Sequence, residues 1–159
     1  MNILTVNLVL STLVFAVAAR VYLFPQLDKL APRTILIPIL LLHSLRHLGL
    51  MFLAPGAVFP GMPAEFAYRA AFGDLLSAVL ALIALAAVVA EARSAWVLIW
   101  VFNIVGSLDL IDAIVLATVY GASAFMGPAY WIPAFWVPAL LVTHYITFVL
   151  LLTKTRGQL

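Results

Sequence analysis

The sequence contains no cysteine. Disulfides, thiolate metal sites and thiol nucleophiles are therefore excluded. Charge is nearly as scarce: 9% of residues are Asp, Glu, Lys or Arg, against about 25% in soluble domains. The same chain is 67% hydrophobic, with a mean hydropathy of +1.22. No water-soluble globule has that composition, and the expected surroundings are a lipid bilayer. A length of 159 residues allows a single domain over 1–159. The eight basic residues exceed the six acidic ones only slightly, with no basic cluster and no aromatic-basic interleaving. The excess reads as a membrane topology signal, and no nucleic-acid partner is expected. No G-x-S-x-G, P-loop or G-x-G-x-x-G motif occurs, and no myristoylation or prenylation signal.

What is present is hydrophobic length. Spanning helices need about 20 consecutive apolar residues, and five such runs occur, at 3–24, 35–54, 68–90, 95–119 and 131–153. The breaks between them carry turn chemistry: "FPQLDKLAPR", "APGAVFPGMPAE", "EARS" and "YGASAFMGP". The fold class implied is all-α, an integral membrane bundle of five transmembrane helices. Lys29, Arg33, Arg93, Lys154 and Arg156 fall on one side with Arg20 near it, and only Arg69, balanced by Glu65, on the other. The positive-inside rule then places the N-terminus outside and the C-terminus in the cytoplasm, in a membrane of the bacterial inner type. "AVA" at 16–18 resembles a cleavage site, but "MNILTVN" lacks a positive n-region, so the first span is expected to be retained. Five spans do not divide into two equal halves, which weighs against an inverted-repeat transporter. "FPQLDK" carries the proline–glutamine pair of PQ-loop transporters once, without a second half, and supports no family assignment. In the third span Gly73, Ser77 and Ala81 recur at i, i+4. Small residues admit close helix approach, so this helix is expected at the centre.

Against that background the polar residues stand out. An ionisable side chain at membrane depth is costly unless paired or wet, and is a functional candidate for that reason. His43, Arg46, His47, Asp74, Asp109, Asp112 and His144 come from four spans and share a similar depth from the midplane outward, with Asn103 deeper, towards the cytoplasmic side. At about 100° per residue, His43, Arg46 and His47 fit within an arc of about 100°, and Asp109 and Asp112 lie about 60° apart. A common internal ligand- or ion-binding cluster is the expected result. Arg46 cannot lose its proton, so it needs a carboxylate, an anionic ligand or water. A direct Arg46–Asp pair would make the cluster structural, whereas a gap between them would make it a site.

Metal is a further possibility. His43 and His47 form H-x3-H, and "DLID" offers Asp109 and Asp112 as D-x2-D, a donor set suited to a divalent metal such as zinc, iron or manganese. Arg46 between the histidines opposes a dication, and the zincin glutamate is replaced by Ser44. Haem ligation by one of the histidines is the lesser cofactor alternative. Ser44 cannot serve His43 as a nucleophile, because adjacent helical positions do not face one another.

The last span opens with "GPAYWIPAFWVPALL". Tyr130, Trp131 and Trp136 suit an interface belt or an aromatic entrance, and Pro138 is expected to kink the helix. The apolar second loop, with Pro55, Pro60 and Pro63, is expected to fold back over the outer mouth. Three functions fit these residues. The first is a small transporter or channel, oligomeric, that binds or moves a proton, cation or small ligand. The second is an intramembrane enzyme using acid-base or metal chemistry on a lipophilic substrate, with His43, His47 and the aspartates as its candidate catalysts and no individual catalytic role assigned. The third is an accessory subunit of a larger membrane complex.

Overall fold

The computed structural model describes residues 3–154, and among the described residues there is no strand. Arg156, used in the charge count above, lies outside the described residues. Five helical runs are long and apolar enough to cross a membrane: Ile3–Gln26, Pro32–Leu53, Ala64–Val89, Ala95–Val119 and Gly127–Thr153. Their edges differ from the apolar runs by a few residues, for local reasons. Pro32 starts the second run because its fixed φ and missing N–H are tolerated in the first turn of a helix. Glu65 lies in the first turn of the third, where a carboxylate complements the helix dipole. The fourth ends on Gly121, whose φ of 60° is left-handed.

The regular parts are α1 (Ile3–Ala18), α2 (Pro32–Ser44), α3 (Ala64–Val89), α4 (Ala95–Val119) and α5 (Val137–Thr153). Three irregular stretches complete the runs. A π turn over Ala19–Leu23 extends α1, a 3-10 stretch over Leu45–Leu53 extends α2, and a π turn over Ile132–Trp136 precedes α5. The last lies just before Pro138, the proline expected to kink this span, which falls in the first turn of the regular α segment. The distortion lies one turn earlier, where the Val137 N–H donates to the Ile132 carbonyl five residues back.

Short connections make successive helices antiparallel, so Lys29, Arg33, Arg93 and Lys154 share the end of the bundle that holds the C-terminus of α5. At that end Arg33 pairs with Glu91 and donates to the Val89 carbonyl, and Lys154 pairs with Asp28. α3 lies between α2 with its 3-10 extension and α4. Its buried face is mostly small, with Ala67, Ala70, Ala78, Ala81 and Ala84, so both neighbours approach closely. α1 is peripheral: it buries none of its residues and rests on α5 and the π turn before it.

Two apolar clusters cap a polar middle. Leu36, Leu40, Ile99, Phe102, Ile146 and Leu150 fill the C-terminal end, and Phe52, Phe66, Leu110, Met126, Ile132 and Leu140 the N-terminal end. In lipid such clusters hold by van der Waals fit more than by the hydrophobic effect. The two loops at the N-terminal end are tied together by backbone bonds, Phe59 N–H to Phe125 O at 2.8 Å and Ala129 N–H to Ala57 O at 2.9 Å. The proline-rich loop thereby roofs the bundle. Asn7 joins α1 to this roof through a 3.2 Å bond from its amide to the Tyr130 hydroxyl.

Candidate functional site

The 3-10 stretch decides which polar residues meet. Three residues per turn align positions i, i+3 and i+6, so His43, Arg46, Gly49 and Phe52 form one line, and all four are buried. His47 turns out of that line, is exposed, and bonds only its own turn, through Nδ1 and the Ser44 carbonyl at 3.0 Å. The three-residue wall expected for a regular α-helix therefore reduces to His43 and Arg46. A 3-10 run of nine residues is unusually long. It carries Arg46 to the level of α3 and α4 while keeping His47 outside.

Arg46 is 1% exposed and is the hub. Its Nε donates to Asp74 Oδ1 at 2.8 Å, and its Nη2 to Asp109 Oδ2 at 2.5 Å. Its Nη1 reaches the Gly106 carbonyl at 3.1 Å and His144 Nε2 at 3.2 Å. Because a guanidinium only donates, His144 Nε2 must accept, which leaves the ring proton on Nδ1. That Nδ1–H donates to Asn103 Oδ1 at 2.7 Å, and the Asn103 amide donates to the His144 carbonyl at 3.3 Å. His43 obeys the same logic. The Thr143 hydroxyl donates to the Ala139 and Leu140 carbonyls, so it accepts from His43 Nε2–H at 2.9 Å. His43 Nδ1, Ser77 Oγ and Trp136 Nε1 are buried without a partner among the described residues.

Three glycines make room for this network. A β-carbon on Gly49 would collide with the Asp74 carboxylate, and one on Gly73 with that of Asp109. One on Gly106 would stand 2.7 Å from His144 Cε1 and 3.0 Å from Arg46 Nη1. None of the three was singled out for this role by the sequence, though each is a glycine inside an apolar run, a recognised sign of close approach.

The expected cluster thus forms in part. Arg46, Asp74, Asp109, Asn103, His144 and His43 come together, and the direct Arg46–Asp pairs answer the question of the gap: the centre is an ion-paired lock across four helices. Asp112 lies apart, paired with the exposed Arg69 at 2.9 Å. The metal quartet of His43, His47, Asp109 and Asp112 is accordingly dispersed, and the described residues hold no group of three or more His, Cys, Asp or Glu placed for a metal ion. Haem ligation meets the same obstacle at His144, since both ring nitrogens are engaged.

His144 is neutral in this bonding pattern, so one guanidinium serves two carboxyl groups in the lock. Asp74 opens onto a cavity of about 230 Å³ beneath the roof, bounded by α1, α3, α4 and the π turn before α5. Leu4 and Leu8 of α1 face Ala113 and Ile114 of α4 across it, and Asp74 is its one ionisable lining residue among the described residues. The last span contributes Ile132, Pro133 and Val137. Tyr130, Trp131 and Trp136, the aromatics of the expected entrance, are not among the residues lining this cavity. Trp131 and Trp136 instead pack edge to face on each other, with ring centres 6.0 Å apart.

Compared with the curated proteins and with the solved structures, the chain matches none. The match to a protein family covers residues 3–152, nearly the full length, and the chain belongs to the family described as Domain of unknown function (DUF8737).

Proposed function

We propose that this chain is a five-span membrane protein that binds a small, mainly apolar molecule carrying one cationic or hydrogen-bond-donating group, held by Asp74. One observation carries the reading: Asp74, one of two carboxyl groups served by the single guanidinium of Arg46, forms the floor of a mainly apolar cavity. An unpaired buried charge costs several kcal/mol. A proton on one of the two carboxyl groups relieves it in the empty state, and the cationic head of a ligand relieves it in the bound state. The peripheral α1 packs on α5, so the side facing α4 is the natural lateral opening to lipid.

Binding is favoured over conduction by what lies beyond the lock. The polar side chains end near Thr147 and Ser77, and Leu36, Leu40, Ile99, Phe102, Ile146 and Leu150 close the C-terminal end. In the expected orientation, with Lys29, Arg33, Arg93 and Lys154 cytoplasmic, the cavity belongs to the outer half of a membrane of the bacterial inner type. The accessory-subunit reading rests on a separate observation, the exposed faces of α1. It predicts a partner that co-purifies at fixed stoichiometry.

The ligand reading is tested on purified protein in mild detergent by thermal unfolding with hexylamine, hexanol and hexanoate. Hexylamine is expected to raise Tm most and hexanoate least. Asp74→Asn, which keeps an acceptor for Arg46 Nε, should abolish the preference for the amine, and Ala117→Leu, which fills the cavity wall, should abolish the response to amine and alcohol alike. Equal stabilisation by amine and carboxylate, or an unchanged response in Asp74→Asn, would overturn the reading.

A further inference from the structure

We propose that the seam between α1 and α5, at the C-terminal end of the bundle, is a binding site for one anionic phospholipid. A groove of about 490 Å³ runs along this seam, separate from the cavity above Asp74. Ala16 and Ala19 keep its α1 side shallow, and Leu141 and Val142 form the α5 side. Thr12 also lines it, but its hydroxyl is turned to the Leu8 carbonyl at 2.7 Å, so the upper wall is effectively apolar. An acyl chain fits walls of this kind. The lower end is different. Arg20 and Tyr145 line it, and Tyr145 packs against Phe24 with ring centres 6.1 Å apart.

Arg20 is the second observation. It lies inside the apolar run Ile3–Gln26, about 9 Å before its end at the usual helical rise. The π turn over Ala19–Leu23 begins at its preceding residue. Arg33, Arg46, Arg69 and Lys154 each pair with a carboxylate, whereas Arg20 has no ion pair among the described residues. A guanidinium at this depth calls for an anion, and its long side chain can snorkel toward the interface to meet one. A free inorganic anion would satisfy the charge but leave the apolar groove open to lipid. A phospholipid satisfies both, with its phosphate on Arg20 and one chain between Ala16 and Leu141. Basic pockets between spanning helices recognise anionic head groups in this way.

The test uses the full chain reconstituted in vesicles of equal phosphatidylglycerol and phosphatidylcholine, extracted in mild detergent, with retained lipid counted by native mass spectrometry. The protein is expected to retain phosphatidylglycerol in preference to phosphatidylcholine. Arg20→Gln should reduce that preference about fivefold, the effect of one basic residue at the membrane surface. Ala16→Leu, which fills the groove on an exposed helix face, should reduce retention of both lipids. Lys29→Gln removes a charge at the same end but outside the groove, and should leave the preference intact. Retention in the vesicle ratio, or an equal loss in Lys29→Gln and Arg20→Gln, would overturn the proposal. None of these variants touches the Asp74 cavity, so their failure and that of the ligand reading are distinguishable.

Discussion

Asp109 rests against the backbone of Gly73, in the space a β-carbon would occupy. The contact explains how α3 and α4 come close enough for the carboxylate to reach Arg46. Gly73→Ala should force the carboxylate away, adding an overpacking cost of about 1–3 kcal/mol to the loss of the ion pair. Thermal unfolding in detergent measures this, and a double-mutant cycle isolates it. In an Asp109→Ala background the same glycine change should cost little. Full additivity of the two changes would show that the contact does not couple them.

Arg46 serves two carboxyl groups, one carbonyl and one imidazole, so its removal strips the buried carboxyl groups of their cationic partner. Arg46→Met is expected to destabilise by about 3–5 kcal/mol, in keeping with other broken buried ion pairs. The combined change Arg46→Gln, Asp74→Asn and Asp109→Asn leaves no uncompensated charge, and should recover most of that loss. If the triple variant were no more stable than Arg46→Met, the ionic account of the lock would fail.

His144 is fixed in one tautomer by a donor, Arg46 Nη1, on one side and an acceptor, Asn103 Oδ1, on the other. Nitrogen NMR of histidine-labelled protein should show Nδ1 protonated and Nε2 bare. Asn103→Leu removes the Nδ1 acceptor and should cost about 1–3 kcal/mol for the unsatisfied N–H, with loss of the single-tautomer signal. A spectrum unchanged by the substitution would mean that Asn103 does not set the tautomer.

Much of this arrangement was legible from the residues alone. Long apolar runs and Pro/Gly punctuation marked the five helices, and the cost of burying charge marked Arg46, Asp74, Asp109 and His144. What escaped was local winding. Apolar periodicity implies a regular helix through "LLHSLRHLGL", but three residues per turn aligns His43 with Arg46 and Gly49 and turns His47 outward. The i, i+3 spacing of His43, Arg46, Gly49 and Phe52 is the signal that distinguishes the two. One helix turn separates Asp112 from Asp109, so the sequence alone groups them. Which of the two Arg46 takes depends on Gly73, a contact made only in three dimensions. The cavity was also out of reach, because its walls are ordinary Leu, Ile and Ala and only packing leaves them apart.

The exposed pair follows from that correction. His47 is exposed, and Arg69 and Asp112 have side chains 62% and 39% accessible. Neither His47→Ala nor Asp112→Asn should change the response to hexylamine, because neither side chain touches Arg46 or lines the cavity. A changed response in either would place that side chain in the site after all.

Ser77 offers the sharpest separation of packing from hydrogen bonding. Its hydroxyl is wholly buried and has no partner among the described residues. The antiparallel pairing of Arg46 with Asp74 brings His43, three residues before Arg46, level with Ser77, three residues after Asp74. The one atom of His43 left unpartnered is Nδ1. A buried unsatisfied hydroxyl is unfavourable, so Ser77→Ala should leave Tm unchanged or raise it, by up to about 1 kcal/mol in stability. Ser77→Val, which adds bulk where α3 meets α2, should lower it. If Ser77→Ala were destabilising by more than about 1 kcal/mol, the hydroxyl would be making a bond worth keeping. The facing turns of α2 and α3 would then belong to the working part of the protein and not only to its frame.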